Sequence, residues 1–451
     1  MFILLFPCLR NFSQTLERRA FLGVVMKEIP DSIKAKNPII NGVYVNYIFP
    51  NSTANHTKLC KGAILNKIND VPIRTKADAI KTMNNIREGD FLIINYTFNG
   101  LEKAETIIAV GKPFEISESA DVYYDFVDFQ GCKLRTILHK PKGKVNCPVV
   151  FFIQGYSCLS VEQPFYKNSP YLKFYEDLVN SGYAVYRLEK AGVGDSESSF
   201  DCMQMGFHSE CSTFKQAYQS LIKNPKIDST NIFLFGHSVG GIIAPILAEE
   251  YSPRGIIAYG TVVKSWFEYL IDVKWEQGYI WKKSAVQISK NLRGFIPFWY
   301  DLLIQKENSQ EILKNMKHKS FLTEHGLLED FKNERYLNRS LVYWQELNEI
   351  NVCEKWAYIT THVLCLHGEF DIQALNTEWA HMIRDIVSTN SPNKADIYIV
   401  SNTDHDFVYF ENMDKNTKIL DSNEYHNYSM KNYSTVVAEN AINWMDATRK
   451  N

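Results

Sequence analysis

Apolar and polar positions along the chain fall into two regimes, which change over near residues 111 to 121. From about Arg18 to Val110 the apolar runs are short and alternate with polar positions: Phe21 to Val25, Gly42 to Ile48, Ala63 to Ile68, Phe91 to Phe98 and Ala104 to Val110. A period of two is the signature of strands buried on one face. One stretch, Lys76 to Ile86, has helical spacing instead. Pro50-Asn51-Ser52, Asn69-Asp70 and Asn99-Gly100 divide the runs as turns. Asn99-Gly100 between two alternating runs predicts a tight hairpin, because both residues tolerate positive φ. The pattern predicts a small β-rich domain over 18–110. It carries no cluster of Ser, His and Asp, which assigns it to binding or regulation and not to catalysis.

From about Val122 onward, short continuous apolar runs alternate with helical patterns. Val149 to Gln154, Tyr183 to Leu188, Asn231 to Phe235, Gly255 to Tyr259, Val363 to Leu366 and Asp396 to Val400 read as strands buried on both faces. Tyr171 to Asn180, Thr213 to Ile222, Ile242 to Glu250 and Asn376 to Ile386 read as helices between them. That alternation predicts a mostly parallel sheet covered on both sides, over 122–451. Residues 262–361 break the rhythm. They are helical in pattern and rich in aromatics, with Trp266, Trp281, Trp299 and Trp344, and predict a helical insertion over the sheet.

Composition narrows the function classes without choosing one. The chain has 451 residues, is 45% hydrophobic and 22% charged, and carries a formal net charge of -2. That balance gives no electrostatic argument for nucleic acid. No apolar stretch is long enough to span a bilayer. Met1 to Leu9 is apolar, but no basic residue precedes it and no small-residue cleavage site follows, so it is a poor signal peptide. A true start nearer Met26, or just before Arg18, is an equal reading. The nine cysteines show no CxxC spacing, and the expectation is reduced, isolated thiols in a cytoplasmic protein, with secretion or a periplasmic location as the alternative.

The strongest chemical signal is Phe233-Leu-Phe-Gly236-His-Ser238-Val-Gly240-Gly241, a strand running into Gly-x-Ser-x-Gly and then a helical pattern. A serine on a sharp strand-to-helix turn has its hydroxyl exposed, and the flanking glycines let backbones pass closely. The helix start behind it supplies N–H groups to a developing oxyanion. A serine needs a base. Val363-Leu-Cys-Leu-His367-Gly368-Glu-Phe-Asp371 is a strand ending in a Gly-x-x-Asp turn, and the next strand, Ile397 to Val400, leads into a loop carrying His405. Ser238, Asp371 and His405 are therefore the expected nucleophile, acid and base. All three lie just past strand ends, where open α/β sheets place their sites. Glu369 competes with Asp371 and is disfavoured by the spacing. Asp404 and Asp406 are read as solvated or loop-capping, His367 as structural, and His237 as a packing or hydrogen-bonding residue. The oxyanion donors are expected at Val239 and, in the Gln154-Gly-Tyr156-Ser-Cys158 loop, at Tyr156. Cys158 is read as a small buried residue. No metal ligand spacing and no cofactor fingerprint is found; Gly192-x-Gly194-x-Ser196 lacks the third glycine that a dinucleotide loop requires.

At these residues the chain resembles the α/β-hydrolase superfamily, over about Val122 to Trp444. Within it, Phe152-Ile-Gln-Gly-Tyr-Ser157, Leu188 to Ser196, Gly236 to Gly240 and Gly368-Glu-Phe-Asp371 look like the bacterial esterases and serine-aminopeptidase-like hydrolases. The resemblance implies acyl transfer from a small-molecule ester, thioester or small amide or peptide. It leaves esterase and peptidase undivided. A peptidase would need a carboxylate for the substrate amine, with Glu162, Glu189 and Glu268 as candidates. The N-terminal module resembles a PDZ domain of the bacterial protease type. Phe21-Leu22-Gly23-Val24 is similar to the carboxylate-binding loop, and Lys61 to Asp70 to the Gly-Asp-x-Ile-x-x-Ile-Asn-Gly segment, with Ala63 and Asp70 as departures. That likeness implies capture of a C-terminal peptide. The rival readings are a binding scaffold on a hydrolase frame that no longer turns over, and a membrane-bound lipase anchored by the first nine residues.

Overall fold

The computed structural model describes residues 16–35, 40–198 and 201–450. The apolar segment Met1 to Leu9 lies outside the described residues. The chain divides into two units, Met1–Phe114 and Glu115–Asn451.

In the first unit, strands β1 (Val24–Lys27), β2 (Val43–Ile48), β3 (Ile64–Ile68), β4 (Val71–Pro72), β5 (Phe91–Phe98) and β6 (Leu101–Ile108) form one sheet in the order β1-β2-β3-β5-β6, with β4 on β3. The helix Lys76–Met83 starts on a reciprocal cap between Thr75 and Asp78. Asn99 (φ 52°) and Gly100 (φ 76°) form the predicted β5–β6 turn. Alternation decides which side is buried: Leu92, Ile94 and Tyr96 face the core with Val45, Leu65 and Ile68.

The second unit is built on an eight-stranded sheet. Its strands are β7 (Ala120–Phe129), β8 (Cys132–Pro141), β9 (Cys147–Ile153), β10 (Ala184–Leu188), β11 (Ile227–His237) and β12 (Gly255–Tyr259). A two-stranded hairpin, β13 (Arg335–Tyr336) and β14 (Arg339–Ser340), lies apart from this sheet, before β15 (His362–Gly368) and β16 (Ala395–Val400) complete it. The order is β16-β15-β12-β11-β9-β10-β8-β7, parallel from β16 to β10 and antiparallel at β8 and β7. Strands buried on both faces send alternate residues into two cores. Val149, Phe151, Leu234 and Cys365 enter one; Val150, Phe152, Phe235 and Leu364 enter the other. Each fully buried side chain of this size contributes about 1.5–3 kcal/mol, and the double burial explains why these strands are visible as unbroken apolar runs.

β7 and β8 were not among the expected strands. Charged residues such as Asp121, Asp125, Lys133 and Arg135 interrupt their apolar pattern, although Arg135 is buried against Asp195 at 3.3 Å. Gln130 and Gly131, with φ of 53° and 79°, make the turn that joins them. Between β12 and β15 the chain forms helices from Trp266–Ile280 to Val352–Ala357, with the β13–β14 hairpin among them. The tryptophans of this segment serve different ends. Trp299 and Trp344 are core residues, whereas Trp281 donates at the surface to Asp421 at 3.0 Å. No helix among the described residues is long and apolar enough to cross a membrane.

One cysteine expectation is corrected. Cys158 and Cys202 are paired in a disulfide. They stand 44 residues apart, so no short spacing announced the pair. The loop after β9 and the 3-10 turn Cys202–Gln204 bring them together. The remaining described cysteines are free.

Candidate active site

Ser238 follows β11 directly and has φ 56°, in the left-handed region that a side chain enters at a cost of about 1–2 kcal/mol. Three features hold it there. Its N–H donates to Tyr259 O at 2.9 Å, on the neighbouring strand end. A Cβ at Gly236 would meet Gly240 O at 2.5 Å, and one at Gly240 would meet Ile153 O at 2.0 Å. Both glycines are therefore fixed by backbone approach, which is the reason for the Gly-x-Ser-x-Gly spacing. The helix Gly240–Ala248 begins immediately behind the serine.

Asp371 and His405 meet directly, with Asp371 Oδ2 accepting from His405 Nδ1 at 2.7 Å. The other carboxylate oxygen accepts from the N–H groups of Gln373 and Ala374 at 2.7 and 2.8 Å, so the carboxylate is clamped in one orientation. Glu369 is turned elsewhere and accepts from Asn402 N–H at 2.8 Å. Gly260 (φ 56°) packs against this pair. A Cβ there would lie 2.7 Å from Asp371 Oδ2 and 2.9 Å from His405 Nδ1. Gly260 also lines the cleft that contains Ser238. No hydrogen bond joins Ser238 Oγ to His405 among the described residues, and such bonds commonly tighten only with substrate bound.

Burial opposes a charged imidazole, but the Asp371 carboxylate, and behind it Asp406 and Asp404, outweigh burial and push the His405 pKa up to about 9. Burial works to raise Asp371, yet the His405 charge and hydrogen bond hold it below the usual carboxylate value. Asp404 is not solvated. It is buried, its Oδ1 caps the loop at Asp406 and Val408 N–H, and burial with the adjacent Asp406 raises its pKa to about 8. The histidine loop is held by later chain. Tyr425 donates to Asp404 at 2.6 Å, Tyr409 N–H to Asn432 O at 2.7 Å, and Ser434 N–H to Phe407 O at 2.8 Å.

Val239 forms the start of the helix, and Gly155 lies on the other side of the serine. A Cβ at Gly155 would sit 2.9 Å from Ser238 Cβ and 3.2 Å from its Oγ. The N–H groups of Val239 and Tyr156 have no protein acceptor among the described residues. The cleft is lined by Ser238, Val239 and Tyr156, by Trp266, which the sequence marks only as an aromatic of the inserted segment, and by Val262, Tyr269, Gln373 and Ala374, to which the sequence assigns no role. Gly260 sits directly after β12, and that position was its only available signal. Cys158, read as a small buried residue, instead ties this loop to Cys202.

The carboxylates considered for amine recognition serve elsewhere. Glu268 caps its own helix with Ser265, and buried Glu189 accepts from Ser160 and from Val161 N–H. The Glu162 carboxylate is buried beside the Tyr124 hydroxyl. None of the three lines the cleft. The Gly192–Ser196 loop is structural: a Cβ at Gly194 would strike Glu189, and Ser196 Oγ accepts from Arg135 N–H at 2.8 Å. At the N-terminal unit, Gly23 has φ 69° and no room for a Cβ beside Ser52. The strand that follows, β1, is the sheet's edge.

Residues 168–391 match the family described as serine aminopeptidase, S33. No curated protein matches. Among solved structures, Est1E from Butyrivibrio proteoclasticus is similar at 16% identity and a TM-score of 0.44, over 73% of this chain and 99% of that one. The Pyrococcus furiosus esterase Pf2001 is similar at 14% identity and a TM-score of 0.40, over 65% and 87%. The hypothetical protein PA2218 of Pseudomonas aeruginosa is similar at 13% and 0.41, over 70% and 96%. Likenesses of that size decide nothing about activity. The strand order and the helix-covered parallel sheet, with the family match over 168–391, show an α/β-hydrolase fold in the second unit.

Proposed function

We propose that the protein is a serine hydrolase that cleaves carboxylic esters through an acyl-enzyme. The observation that carries this reading is the 2.7 Å bond between His405 Nδ1 and Asp371 Oδ2 beside a strained serine at a helix start. Asp371 fixes the imidazole with its Nδ1 protonated, so Nε2 is left to take the Ser238 proton as Oγ attacks the carbonyl carbon. The tetrahedral oxyanion is held by Val239 and Tyr156 N–H. His405 then returns the proton to the leaving oxygen, and water repeats the sequence to release the acid. An ester or thioester suits the cleft better than an amine-anchored peptide, since its lining residues are aromatic, aliphatic or neutral. A fluorophosphonate probe and p-nitrophenyl esters of increasing chain length, applied beside Ser238→Ala, test the reading. Labelling and turnover are expected in the natural protein and are absent from the variant. Equal ester hydrolysis by both overturns the nucleophile, and silence from both favours the non-catalytic scaffold.

For the first unit we propose β-strand addition of a C-terminal peptide at β1. Leu22 and Gly23 N–H, which have no protein acceptor among the described residues, would take the carboxylate, between Phe21 and Val24. An apolar peptide with a free C-terminus is expected to bind and its amide not to, as read by fluorescence anisotropy. The Cys158–Cys202 pair favours the secreted or periplasmic alternative over the cytoplasm.

A further inference from the structure

Three charged side chains lie buried behind the loop that carries Tyr156, and none of them touches the Ser238 cleft. Lys190 follows β10, Glu210 is on the helix Phe207–Ile222, and Arg339 is on β14 of the inserted segment. All three side chains are fully excluded from solvent. Glu210 joins the two cations: its Oε1 accepts from Lys190 Nζ at 2.9 Å and its Oε2 from Arg339 Nη2 at 2.8 Å. Arg339 also stacks over the Tyr343 ring at 3.6 Å, and Tyr343 donates to Glu210 at 3.4 Å.

The cations have further partners; Arg339 Nη2 reaches Met205 O at 3.5 Å, and the shorter bonds go to backbone carbonyls of one loop. Lys190 Nζ donates to Gly155 O at 2.6 Å, and Arg339 Nη1 donates to Tyr156 O at 2.6 Å. The peptide bonds are trans. In a trans peptide the C=O and the following N–H point in opposite directions. Drawing Gly155 O toward Lys190 therefore turns the Tyr156 N–H the other way, on a loop whose Gly155 Cα already lies against Ser238. Two cations balanced by one carboxylate are costly to bury. A network that served packing alone would be replaceable by apolar side chains at no loss.

We propose that Lys190, Glu210 and Arg339 are positioning residues for the Tyr156 N–H: Lys190 sets the Gly155–Tyr156 peptide with its N–H toward the oxyanion, Arg339 pins the next peptide through Tyr156 O and so ties the loop to the inserted helical segment, and Glu210 holds both cations. The proposal rests on the serine-hydrolase reading above. In the reaction the trio exchanges no proton with substrate. It fixes a donor before charge develops, which is where preorganised hydrogen bonds act.

The test compares the full-length protein with Lys190→Met, Arg339→Met, Arg339→Lys and Tyr343→Phe. Lys190→Met leaves Glu210 and Arg339 as a balanced pair, so the fold is expected to survive, as read by circular dichroism. Its kcat for p-nitrophenyl butyrate is expected to fall by about tenfold to a hundredfold, somewhat less than the ~10²–10³ of deleting a donor outright. KM is expected to stay within about threefold, since the ground-state carbonyl gains little from the donor. Affinity for phenylboronic acid, which becomes a tetrahedral anion on the serine, is expected to fall in parallel with kcat. Arg339→Met should repeat the pattern and Arg339→Lys recover part of it, while Tyr343→Phe changes neither. Should Lys190→Met not fold, the Arg339→Lys and Arg339→Met comparison carries the test. Natural kcat and boronate affinity in folded Lys190→Met overturn the positioning role, as does a loss confined to melting temperature. A natural protein that neither hydrolyses the ester nor takes a fluorophosphonate overturns the hydrolase reading itself, and the proposal with it.

Discussion

His237 and His405 stand with ring centroids 4.7 Å apart, and His237 Nε2 meets the backbone carbonyl of His405 at 2.9 Å. A carbonyl can only accept, so Nε2 carries the proton. Burial, and then the His405 charge, bring the His237 pKa down to about 4, which keeps the ring neutral. The residue beside the proposed nucleophile thus fixes the main chain of the proposed base. His237→Ala should lower kcat by about ten- to a hundredfold, in line with the cost of a small misplacement of a reacting group. Fluorophosphonate labelling should slow in proportion. An unchanged labelling rate would show that the His405 loop holds itself.

Asp371→Asn should be far more damaging. The amide can present its N–H to Nδ1 and select the wrong imidazole tautomer, and a loss of about 10⁴ in kcat is expected. Steady-state kinetics with the ester probes measures it. A loss under about tenfold would return Glu369 to consideration, even though that side chain accepts from Asn402 N–H.

Activity and stability should move in opposite directions between pH 7 and 9. The proposed base, His405, must be neutral to act, and with its pKa pushed up to about 9, kcat/KM should rise with pH until about that value. The raised His405 pKa stabilises the fold fully below its ordinary 6.5, and that contribution is lost as pH climbs through 9. Asp371 behaves conversely: its depressed pKa stabilises above 3.8 and loses effect as pH falls through the depressed value. Paired rate and melting profiles would expose the crossing. A flat rate profile over this range contradicts the assignment of His405 as base.

Reduction should weaken the Tyr156 loop specifically. A disulfide that closes a loop of this length stabilises by about 2–4 kcal/mol, and Cys158 sits two residues past Tyr156. Cys202→Ser is expected to lower the melting temperature and, through the loop, kcat. A fall in melting temperature with kcat intact would confine the bond to a structural role.

The parallel strands were legible because burial on both faces leaves unbroken apolar runs such as Val149 to Ile153. The β7–β8 hairpin escaped because Arg135 is buried against a charge contributed by a distant loop, and a residue pattern records polarity, not partnership. The same limit hid Lys190, Glu210 and Arg339, each unremarkable in its own segment. Ser238 stood out because close backbone approach, by Gly240 O and by Ile153 O of β9, leaves a visible pair of glycines around it. Asp371 and Glu369 sit two residues apart on one turn; the spacing after Gly368 favours Asp371, and side-chain direction separates their partners, His405 Nδ1 and Asn402 N–H. The cysteine pair joins two loops with no shared periodicity, so nothing in the linear order announced it.

The loop around His405 is held by Tyr425, Asn432 and Ser434, all of which follow it in the chain. Synthesis on the ribosome runs in that direction too. A growing polypeptide acquires Ser238 and its helix early, but the hydrogen bonds that seat His405, the proposed base, are complete only when the segment near residue 434 has emerged. Timing of this kind would keep a nascent chain inert toward esters until the domain is nearly complete.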